Sequence, residues 1–111
     1  MAELQHQNLA AGRWFTLSLA EQLGNVGSEI GRAINWQKKG KLELQNKAAD
    51  RTLELLDLTI ADKRWQNRLK EILWAKNLTA DYFYGKNEFK ETPEQLEKYF
   101  YYFAVKARSC E

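Results

Sequence analysis

One histidine, His6, and one cysteine, Cys110, stand at opposite ends of this 111-residue chain, and that restricts the chemistry its side chains can do. Glu29, Glu54, Asp57, Glu71 and Asp81 are among the carboxylates in segments of helical pattern. A di-metal carboxylate site in a helical bundle needs inward glutamates together with Glu-x-x-His pairs. None of the five has a histidine three or four residues on. Ser28 has no histidine to activate it as a nucleophile; its hydroxyl is expected to bond back to a carbonyl of its own helix. Cys110 reads as a surface thiol far from any core base. Gly24-x-x-Gly27 and Gly27-x-x-x-Gly31 follow no strand, so they match no phosphate-cradling loop. The sequence therefore predicts no catalytic residue, no metal site and no cofactor, and a protein that is not an enzyme.

A polar set remains. Glu29 and Arg32 share a face of one helical segment, and Asp50, Arg51, Glu54 and Asp57 lie on the next. Solvated ion pairs of this kind contribute a few tenths of a kcal/mol each. The sharper reading is a half-buried Glu29–Arg32 or Arg51–Asp57 network that fixes the register of the two helices.

The elements that must position these residues are helical. Apolar residues recur at helical spacing throughout, and no alternating strand pattern exceeds a few residues. Four helices are predicted. The first covers 14–39, with Leu19, Leu23, Val26, Ile30 and Ile34 as its apolar row, and ends at Gly40. The second covers 41–60, with Leu42, Ala49, Leu53, Leu56 and Ile60 inward, flanked by Ala48 and Leu55. The third covers 63–82, with Asp62 as N-cap and Trp65, Leu69, Ile72, Leu73, Ala75, Thr79 and Phe83 as its stripe. The fourth opens on Thr92-Pro93-Glu94-Gln95, a capping box with proline at the first helical position. Its inward residues are Leu96, Tyr99, Phe100, Phe103 and Ala107. Short connections make neighbouring helices antiparallel, so the expected fold is all-α, an up-and-down antiparallel four-helix bundle over 13–108. Residues 1–12 are expected to form a flexible arm and 109–111 a frayed end.

Ala20, Gly24, Gly27 and Gly31 recur at spacings of four, three and four, one stripe beside the apolar row of the first helix. Each interior glycine costs roughly 1 kcal/mol relative to alanine. The stripe predicts another backbone close by, either a neighbouring helix or a second subunit. Further apolar surface is expected outside the core. Tyr99-Phe100-Tyr101-Tyr102-Phe103 cannot point five rings into one core, so Tyr101 and Tyr102 should be exposed, and Trp74 lies off the centre of its stripe. Exposed aromatics of this density mark an interface, most simply a homo-oligomer.

The formal net charge of +2 neither demands nor excludes a polyanionic partner, so the distribution of charge matters more. A bundle gathers Lys38, Lys39 and Lys41 at one end with Lys86 and Lys90. The other end gathers Arg13, Lys63, Arg64, Arg68, Lys106 and Arg108. Aromatics are interleaved, as in Arg13-Trp14 and Arg64-Trp65, a combination that suits phosphates and unstacked bases. Acidic residues are mixed into both ends, and lysines closing the first helix also suit its negative dipole end.

A single cysteine suits a reducing compartment. The opening Met1-Ala2-Glu3-Leu4-Gln5-His6 shows neither a basic leader nor an apolar block, and no apolar stretch approaches 18 residues. A cytoplasmic, bacterial protein without membrane contact is expected.

Size, short antiparallel helices, mild basicity and aromatic faces over residues 14–108 together resemble a group of small bacterial four-helix-bundle proteins. The group includes the ribosomal intervening-sequence proteins and the accessory variability determinant of diversity-generating retroelements. The string Leu23-Gly24-Asn25-Val26-Gly27-Ser28-Glu29-Ile30 departs from that group's usual first-helix pattern, so no residue role is carried over. The resemblance implies a ring-forming, nucleic-acid-binding partner of a nucleic-acid enzyme. The function expected is binding and assembly as accessory to a nucleic-acid-processing system. Two alternatives are a protein–protein scaffold without nucleic-acid contact and a subunit of an enzyme whose chemistry is on another chain.

Overall fold

Ser18 sets where the first long helix begins. In the computed structural model, which describes residues 12–110 and the side chains of 12–108, α1 spans Leu19–Lys38. The Ser18 hydroxyl accepts the Glu21 N–H at 3.1 Å, and the Glu21 carboxylate accepts the Ser18 N–H at 2.9 Å. This reciprocal box satisfies two backbone donors that the helix cannot. It also holds the Glu21 carboxyl below its usual range, chiefly through the bond from the Ser18 backbone. The predicted start at Trp14 is therefore corrected to Leu19. Residues 12–14 are helical on their own, and a turn closed by Thr16 N–H to Arg13 O at 3.0 Å separates them from α1. Apart from Gly12, the predicted arm and its His6 lie outside the described residues, as do Glu111 and the Cys110 thiol.

α1 ends as Gly40 predicts. Gly40 takes φ +70°, its N–H donates to Gln37 O at 3.1 Å, and Lys41 N–H donates to Trp36 O at 3.0 Å. This pair of bonds caps the last carbonyls, and the left-handed position favours glycine. α2 follows at Leu42–Ala61. Asp62 then caps a 3₁₀ segment, Lys63–Arg68, by accepting the Arg64 N–H at 3.1 Å. The continuous third helix of the sequence reading is interrupted here: Trp65 leaves helical geometry (φ −107°, ψ 23°), and α3 runs from Leu69 to Tyr84. Asp81 organises the next loop, accepting the N–H of Glu88 at 3.0 Å and of Phe89 at 3.2 Å. α4 spans Pro93–Cys110, and the Thr92–Gln95 box forms, with bonds of 2.9 and 3.1 Å.

α1 is the central element. It packs most closely against α2 and α4, while α2 also packs against α3; other pairs of helices approach less. Leu19, Leu23, Val26, Ile30 and Ile34 of α1 meet Leu56, Ile72, Leu96 and Phe100 in one buried cluster. Burying each such side chain contributes about 1.5–3 kcal/mol. The face of α2 agrees with the expectation at Ala49 and Leu56, with Ala48 and Leu55 beside them, but departs from it at Leu42 and Leu53. Leu42 is exposed and Leu53 half-buried, while Ala48, Ala49, Thr52, Leu55, Leu56 and Thr59 face inward. Thr52, Thr59 and Thr79 can be fully buried because each hydroxyl bonds back to the carbonyl four residues earlier, at 2.8–3.1 Å. On α3, Leu73 is likewise exposed, and Leu78 takes the inward position. The described residues contain no strand, and no described helix is long and apolar enough to cross a membrane.

Candidate functional site

Two features stand out from an ordinary helical core: a buried polar cluster and an open groove. The cluster joins the start of α1 to the junction of α2 and the 3₁₀ segment. Gln22 is fully buried. Its amide N–H₂ donates to Trp14 O at 2.9 Å and to Asp62 Oδ2 at 3.0 Å, and its Oε1 accepts the Trp65 indole N–H at 3.0 Å. The indole can only donate, which fixes the orientation of the amide. Trp14 Nε1–H donates to Thr59 Oγ1 at 3.1 Å. Arg64 donates to Asp62 at 3.0 and 2.7 Å and to Leu17 O at 2.7 Å, and its guanidinium lies 4.4 Å from the centre of the Trp65 ring. Burial pushes the Asp62 carboxyl up, but the bonds from Arg64 and Gln22 outweigh it and hold the group below its usual range. Every polar side chain named here has a partner, and the cluster fastens the fold.

The groove lies between α1 and α4 and encloses about 500 Å³. Its floor is the predicted stripe of Ala20, Gly24, Gly27 and Gly31, and its α4 wall carries Tyr101 and Val105, with Glu97 and Arg108 toward the two ends. Ala20 is buried, Gly24 is exposed, and Gly27 and Gly31 are half-buried. Among the described residues, no backbone presses on the stripe. A Cβ added at Gly24 or Gly31 would meet nothing within 4 Å, and one at Gly27 would meet only the Phe100 Cβ at 3.7 Å, an ordinary contact. The Ser28 hydroxyl bonds back to Gly24 O at 3.1 Å.

Of the predicted outward aromatics, Tyr101 is 64% exposed, Tyr102 60% and Trp74 45%. Tyr101 and Tyr102 contact each other edge to face with ring centres 5.5 Å apart, and only Tyr101 lines the groove. Trp74 sits elsewhere, against Phe89 at 4.8 Å.

The basic residues have varied commitments. Lys38 pairs with Glu94 at 3.5 Å, and Lys39 lies 5.3 Å from the centre of the Trp36 ring. Arg68 and Lys106 both reach Glu71, at 3.2 and 3.7 Å, and hold its carboxyl below its usual range, the Arg68 bond first among the causes. Arg64 is bound up with Asp62. Arg13, Lys41 and Lys63 are exposed. Arg108 is exposed at the groove.

The carboxylates serve different partners. Glu29 bridges Arg32 at 3.3 Å on its own helix and Arg51 at 3.5 Å across to α2; the Arg51 contact is an ion pair without hydrogen-bond geometry. Asp57 pairs with Lys76 rather than with Arg51. Glu54 Oε1 is buried without a hydrogen-bond partner. No group of three potential metal ligands occurs among the described residues. No family model, curated protein or solved structure matches the chain.

Proposed function

We propose that this chain acts by binding and assembly rather than by catalysis: a homo-oligomeric, cytoplasmic, up-and-down four-helix bundle that serves as accessory to a nucleic-acid-processing system. The observation that carries self-association is Tyr101, 64% exposed on the wall of an open groove. Apolar surface concentrated around a groove is the mark of a partner site. The up-and-down order is supported by contacts that join helix ends to helix starts: Lys38 to Glu94 for α1 and α4, and Tyr84 to Asn46 and Asp50 for α3 and α2.

The accessory role rests on likeness of size and architecture to the intervening-sequence group, a fold-level analogy, together with the exposed Arg13, Lys41 and Lys63. The scaffold reading without nucleic acid is favoured by Lys38, Arg64, Arg68 and Lys106, whose charges already answer carboxylates. A mobility shift with generic RNA and DNA at about 50 mM salt separates the two. Salt-sensitive binding supports the accessory role, and undetectable binding leaves the scaffold.

A further inference from the structure

We infer that the α1–α4 groove takes a second copy of this chain, packed antiparallel about a two-fold axis. The inference rests on the self-association proposed above and gives it a surface and a register.

The glycines supply the first reason. Among the described residues nothing demands them, since a Cβ at Gly24 or Gly31 would meet none of these within 4 Å and neither has a positive φ. Their helical cost is thus not offset by any described residue of this copy. A second copy crossing the stripe would use the close approach they permit.

The pattern of the groove supplies the second. On α4 the groove carries Glu97, Tyr101, Ala104 and Arg108, spaced four, three and four along one helical face. Turned end for end, this set falls on itself, Glu97 on Arg108 and Tyr101 on Ala104. A two-fold contact must be self-complementary in this sense, each residue facing the counterpart that faces it. Here it sets an acid opposite a base twice, and a large ring opposite a small side chain twice. The α1 stripe has the same spacing, and reversal brings Gly24 onto Gly27 and Ala20 onto Gly31.

The two midpoints lie level with each other. Gly27 faces Phe100, with an added Cβ 3.7 Å from the Phe100 Cβ, and the Arg108 charge is felt at Glu21. The point between Gly24 and Gly27 therefore stands beside the point between Tyr101 and Ala104. One axis serves both helices, with Tyr101 of the second copy over Ala104 of α4 and the two glycine stripes facing each other.

Exchange of charges tests the register, with mass read by sedimentation equilibrium of the full chain over a micromolar series. Glu97→Arg and Arg108→Glu alone each create two like-charge pairs and are expected to weaken self-association about tenfold. Mixed one to one, the two variants restore it, because every facing pair is then opposite in sign; the double variant restores it on its own. Both positions are exposed, and unchanged helicity by circular dichroism verifies that the variants fold. If the native chain associates and the single variants associate as tightly, or mixing rescues nothing, this groove and register are overturned while self-association stands. If the native chain stays a single copy throughout, both fall.

Discussion

Gln22 and Asp62 are 40 residues apart in sequence and 3.0 Å apart in the fold, amide donating to carboxylate. The contact ties α1 to the junction between α2 and the 3₁₀ segment, and the other amide atoms bind Trp14 O and the Trp65 indole. A buried polar group adds little when satisfied, but its loss strands every partner.

Gln22→Leu keeps the volume and removes all three bonds. The expected loss is about 2–4 kcal/mol, read by urea denaturation. Adding Trp65→Phe, which removes the stranded donor, should cost less than the sum of the two single changes. Strict additivity would count against a coupled cluster.

Asp62 makes stability depend on acid. Its carboxyl is held below the usual range in the fold. The stabilisation is therefore complete above the unfolded carboxylate value of about 4 and is lost as pH falls through the lower folded value. Asp62→Asn should lower stability by about 1–3 kcal/mol at neutral pH, and the gap should close toward pH 2. Denaturation across that range measures it, and a constant gap would contradict the assignment.

Tyr84 governs the alkaline side. Its ring is half exposed, but its hydroxyl turns onto α2 and donates to Asp50. Burial first, and then the Asp50 bond and charge, push it up to about 12. The neutral phenol is the form the fold favours. Its contribution holds below the unfolded value of about 10 and is lost as pH rises through about 12. A phenolate absorbance titration compared with Tyr84→Phe should show one tyrosine fewer near the upper end, and Asp50→Asn should move that tyrosine downward.

The glycine stripe separates folding from assembly. Gly24→Ala and Gly31→Ala should each raise monomer stability by about 0.5–1 kcal/mol, since alanine suits a helix better and its Cβ meets none of the described residues. The same changes should weaken self-association. Gly27→Leu adds a branched side chain beyond a Cβ that already touches the Phe100 Cβ at 3.7 Å, and is expected to lose about 1–3 kcal/mol. Gly24→Ala that lowers the melting temperature would show a tight contact within the chain.

Periodicity and punctuation revealed much of this fold. The Leu19–Ile34 row, the Gly40 stop and the Thr92–Gln95 box all follow from local rules, because each depends on residues a turn or less apart. The Ser18–Glu21 box was equally readable, and it places the start at Leu19 rather than Trp14. Long-range satisfaction was not readable. Gln22 falls on the inward face by spacing, yet nothing local says that Trp65 and Asp62 will meet it there. The groove was half visible: the stripe could be placed beside the core row, but whether this chain filled it depended on where α4 packs.

The central claim is that the chain is completed by another copy of itself, and mass in solution tests it most directly. At high micromolar concentration, sedimentation equilibrium of the native 13.0 kDa chain should give twice the chain mass, falling toward a single copy on dilution. A mass of 13.0 kDa at every concentration would contradict it.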